Sequence, residues 1–390
     1  MQSTPPIPHS VSHSFVNPRR LLAAIVVIAA FSPGVLMTAP AVAAQLSAQW
    51  HLSPARIGYL FSTELGAMSL ATLPAWWWIN RCRWRRVALL AAAVFFCGNL
   101  LSAFTADFYL LLPCRFITAL AGGTLMILCI TCAAGTPNPG RVFSFWILGQ
   151  LLLGALGLLA LPPLFARFGL SVVYLLLAAL MLCCSPLLRA FPEGLPPQNL
   201  SASAAVAPLR KVLAVLAVLL FYTGQSAVWT FSGTIAAAAG LARIGSGQVL
   251  AAATLFGMAG ACTAALLAAH SNSVRLLRTG YLLLLASILL FGHRPLAVRF
   301  ALAAALFEFS WTCVLPFILS RVAVLDNSGR LMNSINLVIG GGLALGPSLA
   351  GHLLEKTGGT DAMLLLAAGA VILSLTLITV AGWKMYGRCE

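Results

Sequence analysis

What most constrains this chain is the length of its apolar runs: about twelve stretches of roughly 20 residues, almost free of charge, succeed one another between residues 21 and 384. A helix rises ~1.5 Å per residue and the hydrocarbon layer is ~30 Å thick, so each run suffices to cross a bilayer. The runs are continuous rather than alternating apolar and polar, which favours helices over barrel strands. They lie near 21–46, 57–79, 86–105, 108–134, 141–165, 170–190, 211–238, 247–270, 274–292, 296–321, 331–355 and 360–384. The expected fold class is an all-α integral membrane protein with twelve transmembrane helices.

Composition points the same way. Hydrophobic residues make up 61% of the chain and charged residues 8%, against roughly a quarter charged in soluble domains. The net charge of +15 would suggest nucleic acid in a soluble protein, but its distribution gives another reading. With the N-terminus inside, Arg19, Arg20, Arg81, Arg83, Arg85, Arg86, Arg141, Arg189, Arg210, Lys211, Arg275, Arg278, Arg321, Arg330, Lys384 and Arg388 fall on the cytoplasmic side. Only Arg56, Arg167, Arg243, Arg294, Arg299 and Lys356 fall outside, which follows the positive-inside rule and places both termini in the cytoplasm. The expected partner is therefore the lipid bilayer and not nucleic acid.

The ten cysteines fall mostly inside apolar runs and are read as reduced packing residues. Cys129 and Cys132 form a CxxC within an apolar helix, with no second pair or nearby histidine, so neither metal nor cofactor is expected. Arg19 and Arg20 followed by a run ending in Ala41-Val42-Ala43 imitate a signal peptide, but ~24 apolar residues exceed the ~7–15 of a signal-peptide core. Residues 1–20 read as a disordered cytoplasmic tail, 21–190 as a first six-helix bundle and 191–210, rich in Pro and Ser, as a cytoplasmic linker. Residues 211–384 then form a second six-helix bundle and 385–390 a short tail. Weak repeat signals support the division, since Ser32-Pro33-Gly34 and Thr223-Gly224-Gln225, like Gly154 and Gly346, are offset by roughly 190 residues.

Several motifs resemble the major facilitator superfamily, especially its bacterial drug and metabolite transporters. They are Pro40 to Leu46 with Trp50, Leu52, Ser53, Pro54, Ile57 and Gly58; Trp76 to Arg86; Arg115-Phe116-Ile117-Thr118 running to Gly122-Gly123; and Gly342, Gly346, Pro347 and Gly351. In the second, Arg81, Arg85 and Arg86 match the family signature, whereas Asn80 replaces its acid and Trp76 and Arg83 its glycines. Helix 5 has Gly149, Gly154 and Gly157 without the Gly-Pro pair of family antiporters. The resemblance implies two six-helix bundles that alternate access to a central cavity lined by helices 1, 4, 7 and 10, in a monomer. It also implies conformational roles for Arg81, Arg85, Arg86, Gly342, Gly346 and Pro347.

Ionisable groups inside hydrocarbon cost a few kcal/mol each and mark candidate sites. Glu64 and Arg115 each lie ~10 Å deep, placed either to pair as a structural bridge or to form a proton- or anion-binding site. Glu308 lies twelve residues into its helix, ~18 Å deep, with no basic residue at that depth. An unpaired buried carboxyl favours its protonated form, which suits proton coupling. Tyr222, Gln225 and Trp229 share one helix face at i, i+3 and i+7, and Trp311 lies one turn after Glu308. A cavity built from these and Arg115 suits a moderately hydrophobic organic molecule, aromatic or anionic.

The expected function is proton-coupled efflux of a drug-like compound or metabolite across the inner membrane. Proton-coupled uptake of an organic acid or siderophore-like compound is the alternative within transport, and a channel or a non-transport membrane protein is the alternative outside it. An enzyme is not expected: the six histidines are scattered through tail, loops and helix ends, and no phosphate-binding G-x-x-x-x-G-K-[ST] sequence occurs.

Overall fold

A computed structural model describes residues 18–136, 138–193, 208–268, 273–292, 296–324 and 330–382. Among them there is no strand. Most of the linker and the two tails expected from the sequence lie outside the described residues.

Ten helices among the described residues are long and apolar enough to cross a membrane. The first two apolar runs are also helical but broken, and no piece of either is long enough alone. The first comprises α1 (Pro18–Phe31), α2 (Gly34–Met37) and α3 (Ala39–Trp50). The second comprises α4 (Pro54–Leu70) and α5 (Thr72–Trp78). Proline explains the breaks: Pro33 and Pro40 interrupt the first path and Pro74 the second, each lacking the N–H that an α-helix directs four residues back.

The remaining elements of the first half are α6 (Trp84–Phe104), α7 (Phe108–Ala134), α8 (Pro139–Phe168) and α9 (Ser171–Cys184), which continues as a 3₁₀ run to Ala190. The second half holds α10 (Pro208–Thr230), α11 (Ser232–Ala238), α12 (Arg243–Ala268), α13 (Ser273–Phe291), α14 (Ala297–Val324), α15 (Arg330–Thr357) and α16 (Asp361–Gly382). Packing is mostly within halves: α4 and α6 on α7, α6 on α9 and α1 on α8 in the first; α10 on α15 and α16, and α14 on α12 and α13, in the second. Across the divide, α4 packs on α15, α8 on α12 and α3 on α11.

Large apolar side chains cover the outside, Leu90 at 69% exposure and Leu101 at 63% among them. In water such a surface would drive aggregation, whereas lipid solvates it. At one end of the molecule the α5–α6 loop meets the residues that follow the 3₁₀ run: Trp84 N donates to Glu193 O, Arg85 Nε to Phe191 O at 3.4 Å, and Arg83 lies 4.0 Å from Glu193. That contact puts the basic 80–86 loop and the start of the linker on the same side, as the charge distribution requires.

At the opposite end the two halves touch. Glu355 of α15 accepts from Ala55 N at 3.1 Å, capping the start of α4, and Tyr59 bonds His352 at 2.9 Å. Gly58 allows this proximity, because a Cβ there would stand 2.3 Å from the Pro347 carbonyl oxygen. Arg243 Nη1 reaches Gln45 Oε1 at 3.3 Å.

Candidate functional site

The breaks in the first path create polar groups that the apolar interior must satisfy. Pro33 cannot donate to the Ala29 carbonyl, nor Pro40 to that of Leu36. Other helices supply the missing donors. Gln150 Nε2 on α8 bonds Ala29 O at 2.9 Å, within the first half. Trp229 Nε1 on α10 bonds Leu36 O at 2.9 Å, across the divide.

Both donors stand in the wall of a cavity of about 590 Å³ between the halves. Its first-half lining includes Met37, Met68, Met126, Trp146, Gln150 and Leu151, and its second-half lining Tyr222, Gln225, Trp229, Glu308, Trp311, Thr312 and Asn336. The lining runs from Trp229 towards the end that carries the 80–86 loop, through Ile130 on α7, Ser144 on α8 and Leu315 on α14. The Glu355–Ala55, Tyr59–His352 and Arg243–Gln45 contacts lie at the other end, while α4 stays against α15 as far in as Ser69, whose Oγ donates to Asn336 O at 3.3 Å.

Glu308 is 3% exposed and no cation among the described residues pairs with its side chain. A notch in α12 makes room for it. Gly257 lacks a Cβ where one would lie 3.0 Å from Glu308 Oε2, and Thr312 Oγ1, one turn along α14, donates to Gly257 O at 2.8 Å. Trp311 lies one turn along α14 from Glu308, and its indole N–H, buried, finds no acceptor in hydrogen-bond geometry.

Glu64 and Arg115 are placed differently. They form a buried ion pair through Arg115 Nε and Glu64 Oε1. Arg115 Nη1 donates to Asn99 Oδ1 at 2.8 Å, and the guanidinium lies 4.7 Å from the Tyr174 ring centroid. The described lining includes neither residue of the pair. Arg115, read from sequence as a cavity group, is instead held inside the first half, because a guanidinium in a low-dielectric interior is stabilised where a carboxylate and an amide meet it.

The residues expected to govern conformation divide between an end loop and a helix contact. Arg81 and Arg86 are exposed, Arg81 lying 5.6 Å from the Trp77 ring centroid, while Arg85 meets Phe191 O. Gly342 and Gly346 hold α15 against α10, where Cβ atoms would stand 2.5 Å from Leu219 O and 2.4 Å from Thr223 O. The Pro347 carbonyl meets Gly58 on α4 across the divide. Sequence reasoning missed Gln150 and Trp146. Their spacing of four on one helix face was a signal, and so was the need of the Ala29 carbonyl for a donor.

A Major Facilitator Superfamily model matches residues 22–325. The chain belongs to this superfamily. No curated protein matches it by sequence. Among solved structures, the crystal structure of a point mutant of the nucleoside transporter NupG is similar in fold, with TM-score 0.71 and 13% identity over 93% of this chain and 99% of that one. The in meso crystal structure of PepTSo, a transporter of the POT family, gives TM-score 0.72 and 13% identity over 96% of this chain and 99% of that one. As a superfamily member the chain is a multi-pass membrane protein and a secondary transporter of small solutes. The cavity lies between its two halves.

Proposed function

We propose that the chain is a proton-coupled exporter of a moderately hydrophobic organic solute, working by alternating access in the inner membrane with both termini cytoplasmic. Twelve crossings result when the broken paths α1–α3 and α4–α5 are counted with the ten unbroken spans. The observation that carries this reading is Glu308: a carboxyl with no cation among the described residues, set in the wall of a largely apolar cavity between two halves. A group so placed takes up and releases a proton as its access to water alternates, linking a proton gradient to movement of the solute.

The Glu355–Ala55, Tyr59–His352 and Arg243–Gln45 contacts join the halves at the end away from the 80–86 loop. Although α4 follows α15 inward as far as Ser69 and Asn336, the cavity lining on α7, α8 and α14 continues towards that loop, so we read the cavity as facing the cytoplasm in this conformation. Rocking about the α4–α15 and α8–α12 contacts closes that side while breaking the Trp229–Leu36, Arg243–Gln45 and Glu355–Ala55 bonds. An inward proton gradient then drives export. Uptake of an organic acid through Arg115 finds no support, since its guanidinium is occupied by Glu64 and Asn99.

The test is gradient-driven flux in proteoliposomes. Wild-type protein is expected to move solute when a pH gradient is imposed and Glu308→Gln to lose that dependence, by an order of magnitude or more. Undiminished gradient-driven flux in Glu308→Gln would remove the carboxyl from the coupling role.

A further inference from the structure

The charge inventory of the cavity says more than its size. Among the described lining residues Glu308 is the sole acid, and no Lys, Arg, His or Asp accompanies it. The remaining titratable groups on the wall are Tyr222 on α10 and Cys262 on α12. On α13, Tyr281 is bonded to Ser374 of α16 at 2.8 Å; among the described lining residues of α15 the polar side chain is the neutral Asn336. An anion entering this space meets a carboxyl and no counter-charge. A cation meets that carboxyl together with the rings of Trp146, Tyr222, Trp229 and Trp311, whose faces attract positive charge. Met37, Met68 and Met126 add polarisable surface that adapts to an irregular apolar body.

We infer that the solute is a monovalent organic cation, an ammonium on an aromatic or otherwise apolar body, exchanged one for one with a proton at Glu308. This rests on the coupling role proposed above and goes beyond it in naming charge and stoichiometry. The carboxyl holds either its proton, as a neutral acid, or the ammonium, as an ion pair. In both states the cavity carries no net charge, which a low-dielectric space requires. When the cation arrives, the O–H bond of the acid breaks and the proton leaves to water; on the far side a proton rebinds as the cation departs. One positive charge moves each way, so the cycle is electroneutral and the membrane potential does no work on it.

The experiment uses the full-length protein in proteoliposomes with three probes: ethidium and benzyltrimethylammonium, both permanently charged aromatic cations, and naphthalenesulfonate, an aromatic anion. A pH gradient with the potential clamped to zero by potassium and valinomycin is expected to drive at least one cation several-fold above protein-free vesicles and to leave the anion unmoved. A potassium-diffusion potential without a pH gradient is expected to add nothing. Binding to purified protein, followed by tryptophan quenching, is expected to weaken about tenfold or more in Glu308→Gln and to persist in Glu308→Asp, with melting curves showing both variants folded. Transport of the anion, flux driven by the potential alone, or failure of both cations to bind overturns the inference. Of these, the first two leave the coupling role standing provided Glu308→Gln abolishes pH-driven flux, whereas pH-driven flux that survives in Glu308→Gln defeats the coupling role itself.

Discussion

Glu64 in the first half and Glu308 in the second are almost equally hidden, at 4% and 3% exposure, yet they sit in opposite circumstances. Glu64 has a guanidinium on it, and that guanidinium is in turn held by Asn99 and covered by Tyr174. Glu308 has a glycine notch behind it, a cavity before it and, among the described residues, no cation. A buried charge whose bonding capacity is filled fastens helices together. One left unfilled beside a cavity is available to a proton or a ligand. Depth in the membrane is therefore a poor guide to role, and the partner decides.

The contrast is broken most forcefully from the first half. Arg115→Leu leaves the Glu64 carboxylate buried without a cation and is expected to cost about 3–5 kcal/mol, read as a lower melting temperature in detergent, with Glu64→Leu in the same chain restoring most of it. A single variant that melts with wild type would mean the pair is not a fastening. Gln150→Leu orphans the Ala29 carbonyl and is expected to cost about 1–3 kcal/mol in the same measurement, testing whether the first half depends on donors supplied to its proline breaks.

Trp229→Phe keeps an aromatic, though smaller, ring and removes the bond to Leu36, about 0.5–1.5 kcal/mol. Because that bond joins the halves at one end, its loss is expected to raise the population opened there by several-fold. Distances between spin labels at Ala48 and Ala242, one on each half, would report it. Smallest of all, Glu308→Gln is expected to change stability by less than about 1 kcal/mol, since no partner is left orphaned. A loss as large as that of Arg115→Leu would erase the distinction between the two acids.

The apolar runs were legible because lipid imposes a length and forbids unpaired backbone groups, and both demands are written locally. Glu308 drew notice as an acid inside an apolar run, Tyr222, Gln225 and Trp229 by their helical spacing on one face, and the family resemblance implied that their helices line the cavity; the fold has all of them, with Trp311, on the cavity wall. The place of Arg115 was not legible, because whether a cation lines a cavity or closes on an acid depends on where another helix stops. Nor was Gln150, since its partner is a carbonyl 121 residues away.

Sequence alone determined that the chain is a stack of membrane helices, because hydrophobic length needs no knowledge of neighbours. Tertiary structure decided which buried acid is neutralised and which stands open, and which donors repair the proline breaks. Electrostatics and hydrogen bonding inside lipid act over a few ångströms, and only the packed helices bring the deciding groups that close.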